Sequence, residues 1–183
     1  HTIDEVNGGF YGRIGHDNQV FADAPKGSVL NSRILWTFSA AHNLTGNKEY
    51  RKMADRAYEY FCTHFVDTTC GGVYWSVDVK GKPLETKKQT YATAFAVYAL
   101  SEYFKCSENP EVLEEVKSLY NDMVKHGYEP AMEGYFEAFA RNWTELEDSR
   151  LGAKDANEKK SMNTHLHVLE AFGNLYSIWA DTT

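Results

Sequence analysis

The chain has 183 residues, 43% of them hydrophobic, enough for one domain with a real core and too apolar for a disordered segment. Its formal net charge is −7; an acidic chain without clustered Lys and Arg is a poor nucleic-acid binder. No apolar run approaches the roughly 20 residues of a membrane span.

A glycine turn recurs along the chain. Gly8-Gly9-Phe10-Tyr11, Gly71-Gly72-Val73-Tyr74 and Gly134-Tyr135-Phe136 follow one another at equal spacing. Such repetition marks one supersecondary unit that hides its apolar face only against its neighbours. After the first turn, Ser28 to Leu44 reads as a helix, capped near Gly27 and Ser28 and stopped by Gly46. It is apolar nearly all round, with Arg33 its only full charge, so burial on every side is expected. Asn47 to about Phe65 is amphipathic instead, a surface helix with one buried face.

Val73 to Leu84 reads as a small hairpin turning at Lys80-Gly81. Thr90 to Phe104 is again apolar all round, and Pro110 to about His126 again amphipathic. Tyr135 to Phe139 suits another short strand, and Arg141 to Lys160 is a polar loop of unusual length. Ser161 to Trp179 is a third inner-type helix. Alternation of all-apolar with amphipathic helices is expected where an inner ring of helices is wrapped by an outer one. Six such units would close a double ring of twelve helices. The chain holds about two and a half units and starts without Met, so an all-α piece of a larger protein is expected over 1–183, with short β-hairpins: about half of an α/α ring, or else part of an open solenoid.

The last helix carries the sharpest chemical signal. At about 100° per residue, Asn163, His167, Glu170, Asn174 and Ser177 share one stripe, while His165 lies roughly 160° from His167. Only one of the two histidines faces the polar stripe. The stripe reads either as a solvated helix face or as a site in which His167 carries protons beside Glu170. His165 reads as a packing or loop-bonded histidine, and an i, i+2 pair diverges too far for zinc. Arg33, if buried, needs a partner; it either binds loop carbonyls or steadies a developing oxyanion. Tyr91 and Phe95 lie one turn apart, as core residues or as ligand contacts. Asp148, Asp155 and Glu158 are solvated unless the long loop folds over a cleft.

No phosphate loop, dinucleotide fingerprint or metal spacing appears, and neither a cofactor nor a metal is expected. The aromatic content of 14% suits either a sugar cleft or a Tyr-rich helical core. Cys62, Cys70 and Cys106, an odd set, read as reduced thiols and point to the cytoplasm. The sequons at Asn43 and Asn142 are taken as chance matches.

Several segments resemble the cellobiose 2-epimerases of the N-acylglucosamine 2-epimerase superfamily: Gly8 to Gly12, Ala24 to Gly27, Arg33 to Ser39, Gly71 to Trp75, Lys88-Gln89 with Tyr91, Tyr98 to Ser101, and above all Lys160 to Ala171. The resemblance covers essentially the whole chain. It implies an (α/α)6 barrel and inversion at C2 of the reducing-end glucose of a β-1,4 disaccharide through a cis-enediolate. Arg33 falls on the position that steadies the enediolate, His167 on one for ring opening and hydroxyl contact, and Tyr91 and Asn163 on sugar-contacting positions. Glu170, beside His167, joins the substrate-binding set, and Asp155 matches a loop carboxylate near the distal sugar. The family's two opposed acid–base histidines have no counterpart here, so inactivity of the isolated chain is expected unless a second chain completes the ring. Mannose isomerase and N-acylglucosamine 2-epimerase are the near alternatives. An (α/α)6 glycoside hydrolase, pairing Glu170 with Asp148 or Asp155, and a non-catalytic sugar-binding piece are the distant ones.

Overall fold

The computed structural model describes residues 2–180. Among these residues are five α-helices: α1 (Ser28–Thr45), α2 (Lys48–His64), α3 (Thr90–Ser107), α4 (Pro110–Asp122) and α5 (Met162–Tyr176). Local chemistry sets their ends. Asn47 and Asn109 cap α2 and α4 by accepting from the N–H groups of Glu49 and Glu111, at 2.9 and 3.0 Å. Pro110 occupies the first turn of α4, where its missing N–H costs nothing. Gly46 ends α1 in the left-handed region at φ 67°. The segment expected to about His126 is helical to its end, as α4 to Asp122 and then a π-helical turn, Met123–Gly127.

Short strands tie successive units together. β1 (Lys26–Gly27), β2 (Ser76–Val77) and β3 (Pro83–Glu85) form one antiparallel sheet; β4 (Lys88–Gln89) and β5 (Ala138–Phe139) form another. Lys26 lies opposite Val77, and one unit later Lys88 lies opposite Phe139 in the same way. Thus the dipeptide before each of the first two inner helices pairs with a strand from the following unit. Ser28 and Thr90 repeat the link, donating their hydroxyls to the Trp75 and Phe136 carbonyls at 3.0 and 2.5 Å. The hairpin read at Val73 begins three residues later; Val73 instead bridges back to Val66, as Phe10 does to Ile3 and Tyr135 to Tyr128. The glycines make these bridges possible: Gly9 has φ +61°, and a Cβ there would stand 2.6 Å from the Tyr60 ring.

α1, α3 and α5 lie side by side, with α2 behind α1 and α4 behind α3. α3 is buried on nearly every face, flanked on both sides and covered behind. Burying a Val97- or Leu100-sized side chain is worth about 1.5–3 kcal/mol. The expectation for α1 is corrected. It is buried at Ser28, Asn31, Ser32, Leu35 and Ser39, yet Leu30 and Leu44 are 42% and 87% exposed. Among the described residues its neighbours stand on one flank only. Leu166, Leu169 and Tyr176 are likewise exposed on α5, so the described helices form an arc with two open edges.

A buried ion pair locks each of the first two units. Lys26 and Lys88 have fully buried side chains, and their ammonium groups meet Asp4 and Asp67, each at 2.9 Å. Lys160 meets Glu129 in the third unit, at partly exposed positions. Each lysine lies two residues before an inner helix and reaches back to the acid beside its glycine turn. Arg141 joins the second pair, binding Asp67 through two nitrogens at 2.8 and 3.0 Å. Burial alone would raise the Asp67 pKa, but Arg141 and Lys88 hold it well below the usual carboxylate range.

Candidate active site

The first turn of α5 is fixed before any side chain reaches the cleft. Glu137, 4% exposed, accepts from the Ser161 N–H at 2.7 Å and from the Thr164 hydroxyl at 2.6 Å. The Ser161 hydroxyl caps the helix by accepting from the Thr164 N–H at 3.1 Å. His165 is spent on structure: its Nε2 accepts from the Tyr135 N–H at 2.9 Å, and its Nδ1 lies 2.7 Å from the Ser161 carbonyl.

His167, one half-turn on, is placed differently. Its Nδ1 is 2.7 Å from a Glu170 carboxylate oxygen. Tyr91 meets the ring edge-on at 4.8 Å and Phe95 covers it at 4.4 Å. Arg33, Trp36, Thr37, Phe95, Tyr98, His167 and Glu170 line a cleft of about 270 Å³ between α1, α3 and α5. Trp36 stacks on Tyr98 at 5.3 Å to form one wall. One cation, one carboxylate, one imidazole and aromatic walls are the groups needed to bind a neutral polyol and steady a transient oxyanion.

The reading of Arg33 as a buried guanidinium is corrected: it is exposed, since α1 has an open flank. Its guanidinium carbon sits 4.9 Å from the centre of the Phe95 ring, and among the described residues it has no carboxylate partner. Its charge is therefore free for a ligand. Asn163 lines a neighbouring cleft of about 220 Å³ with Arg150, Asp155 and Ser161, one helical turn before His167. Asp155 is exposed and accepts from the Gly152 N–H at 2.8 Å. Asp148 is held by Arg150 at 2.7 Å, which lowers its pKa.

The long loop is pinned rather than loose. Trp143 donates to the Cys70 carbonyl at 2.7 Å and stacks on His126 at 4.6 Å. Lys87 and Gln89 both donate to the Arg150 carbonyl. The α5 stripe is mixed: Asn163, Glu170 and Ser177 are exposed, whereas Asn174 donates to the Tyr98 carbonyl at 2.9 Å and accepts from Lys105 at 2.6 Å. No three His, Cys, Asp or Glu side chains are placed to hold a metal among the described residues.

Comparison with known proteins decides the family. Residues 9–182 match the N-acylglucosamine 2-epimerase (GlcNAc 2-epimerase) family. The chain belongs to that family. It is 51% identical over 179 residues to a cellobiose 2-epimerase of Bacteroides fragilis, and 40% identical over 173 to one from Ruminococcus albus. These matches cover 98% and 94% of the chain but only 46% and 44% of those proteins. The solved cellobiose 2-epimerase of Bacillus thermoamylovorans superposes with TM-score 0.94 at 40% identity, covering 99% of this chain and 47% of that one. The chain thus spans about half the length of the curated relatives it matches. The arc of inner and outer helices is part of an (α/α)6 barrel.

Sequence reasoning missed several residues of this family member. Trp36, Thr37 and Tyr98 were visible as helix residues without a site, because a wheel gives a side and not a neighbour. Glu137 left no signal of its own. The three locking lysines left a trace: Lys26 and Lys88 stand at nearly the glycine period, and Lys160 follows later than that period because the 141–160 loop lengthens the third unit.

Proposed function

We propose that this chain supplies the oxyanion-stabilising and ring-opening part of a 2-epimerase acting on the reducing-end glucose of cellobiose-type β-1,4 disaccharides. The observation that carries the reading is Arg33, without an acidic partner among the described residues, sharing one aromatic-walled cleft with the His167–Glu170 pair. The 51% identity to a cellobiose 2-epimerase supports that substrate over the amino-sugar and mannose alternatives.

In this reading His167 takes the proton of the anomeric hydroxyl as the C1–O5 bond breaks, and returns it to O5. The open-chain aldehyde then loses its C2 proton to a base. The C2–H electrons form the C1=C2 bond and the carbonyl pair moves to O1. Arg33 faces that new negative charge. Protonation of C2 from the opposite face restores the aldehyde with inverted configuration. The scheme requires two opposed C2 proton carriers besides His167, and in this reading both belong to the part of the protein beyond these residues. Tyr91 and Asn163 contact the sugar in this scheme, and Asp155 lies toward the distal ring. The three cysteines are unpaired, which suits a reducing cytoplasm. No described helix is long and apolar enough to cross a membrane.

Cellobiose incubated in heavy water with the protein that carries this chain tests the reading. Glucosylmannose bearing deuterium at C2 is expected. Arg33→Ala lowers turnover about a hundred- to a thousand-fold, with less effect on binding. A fructose-ended product makes the protein an isomerase, free monosaccharides make it a hydrolase, and either outcome refutes the proposal.

A further inference from the structure

We propose that Glu170 is a positioning residue: it holds neutral His167 as the Nδ1–H tautomer, leaving Nε2 as its proton-accepting nitrogen. An ionised carboxylate only accepts hydrogen bonds. With Glu170 Oε2 2.7 Å from Nδ1, the imidazole hydrogen must lie on Nδ1. Nε2 then carries the lone pair. Two aromatic rings clamp the imidazole, Tyr91 at 85° to it and Phe95 at 41°, so the carboxylate sets the tautomer while the rings set the plane. Orientation by a partner on the second nitrogen is the general means of aiming a histidine at a proton.

His165 is an internal control. Its Nε2 accepts from the Tyr135 N–H, so its hydrogen also sits on Nδ1, toward the Ser161 carbonyl. Both histidines are thus assigned the same tautomer. The difference is that His165 has spent its lone pair on the backbone, whereas the Nε2 of His167 has no protein donor among the described residues. Glu170 lies four residues before Asn174, whose amide is tied to α3 through Tyr98 and Lys105, which holds this part of α5 against the cleft wall.

The tautomer assignment stands without the epimerase reading; only the identity of the proton that Nε2 takes rests on it. Nitrogen-15 spectra of histidine-labelled protein, recorded above the ordinary imidazole titration range, test it, with His167→Gln assigning the resonance. A pyrrole-type Nδ1 and a pyridine-type Nε2 are expected. Glu170→Ala shifts the tautomer ratio toward Nε2–H by about ten-fold or more, because a hydrogen bond to a charged acceptor is lost. Glu170→Gln keeps the Nδ1–H form, since the amide oxygen still accepts. In turnover assays of the protein that carries this chain, Glu170→Ala lowers kcat more than it raises KM, and Glu170→Gln restores much of the loss. A pyridine-type Nδ1 in the unmutated protein, or an unchanged tautomer in Glu170→Ala, overturns the proposal. So does a loss confined to KM. Inactivity of the unmutated protein that carries this chain, with the expected spectrum, would sink the epimerase reading instead.

Discussion

Replacing Asp67 by Ala probes the lock of the second unit most directly. The carboxylate is fully buried and accepts from Lys88, from two nitrogens of Arg141, and from the N–H groups of Thr69 and Cys70 at 3.1 and 3.2 Å. Arg141 is partly exposed and returns to water when its partner goes. Lys88 cannot, because its side chain has no exposed surface. An uncompensated buried ammonium costs about 3–5 kcal/mol. For a chain of this size that lowers Tm by roughly 6–20 °C. Urea unfolding followed by circular dichroism is the assay. The second substitution Lys88→Met removes the stranded charge, and the double variant should recover most of the loss, since apolar replacement of a buried pair is often neutral. A loss below about 1 kcal/mol in Asp67→Ala, or no recovery with Lys88→Met, refutes the lock.

The same pair has a signed pH dependence. Asp67 has a depressed pKa when folded, so its contribution is complete above its unfolded value of about 3.9. It disappears as pH falls from there through the folded pKa. The stability gap between the unmutated protein and Asp67→Ala should therefore be constant near neutrality and narrow below about pH 4. A gap that widens on acidification contradicts the geometry.

Lys160→Met should cost about 1 kcal/mol or less, because the Lys160–Glu129 pair is partly solvated, and urea midpoints should rank it below Lys88→Ala. Gly134→Ala should cost about 1–3 kcal/mol: φ is +94°, and the new Cβ would stand 2.5 Å from His165 Nε2. Amide exchange should then report a weakened Tyr135 N–H. Glu137→Ala leaves the Ser161 N–H and the Thr164 hydroxyl unmatched, at about 1–3 kcal/mol each, and should fray the start of α5 in exchange experiments. The chain alone should wash no deuterium into C2 of cellobiose, having one imidazole in the cleft; measurable exchange refutes the division of roles.

Much of the fold was legible because it repeats. The constant glycine period, the alternation of all-apolar with amphipathic helices, and the start and stop signals at Ser28 and Gly46 located the five described helices within a few residues. What failed was inference from one helix to its surroundings. The apolar character of α1 says that its faces avoid water, not that the covering groups lie among these residues; Leu30, Leu44 and Arg33 are exposed because one flank has no described neighbour. The lysine locks were missed for the opposite reason. A lysine in a polar segment reads as solvated, and only its repetition two residues before each inner helix hints that its charge is buried.

The site divides along the same line. That His165 and His167 point apart follows from helix geometry alone, and so does the grouping of Asn163, His167 and Glu170. That Arg33, two units earlier in the chain, shares their cleft follows only from α1 and α5 both packing against α3. The repeat connects the two halves of this argument. The second and third units follow their glycine turn with a strand that pairs with the dipeptide before the preceding unit's inner helix, and in every unit a lysine two residues before the inner helix reaches back to an acid near that unit's turn. In the third unit that lysine is Lys160, three residues before Asn163 and seven before His167. The lysine pairs that tie the glycine turns to the inner helices thus recur right beside the stripe that carries the candidate site residues.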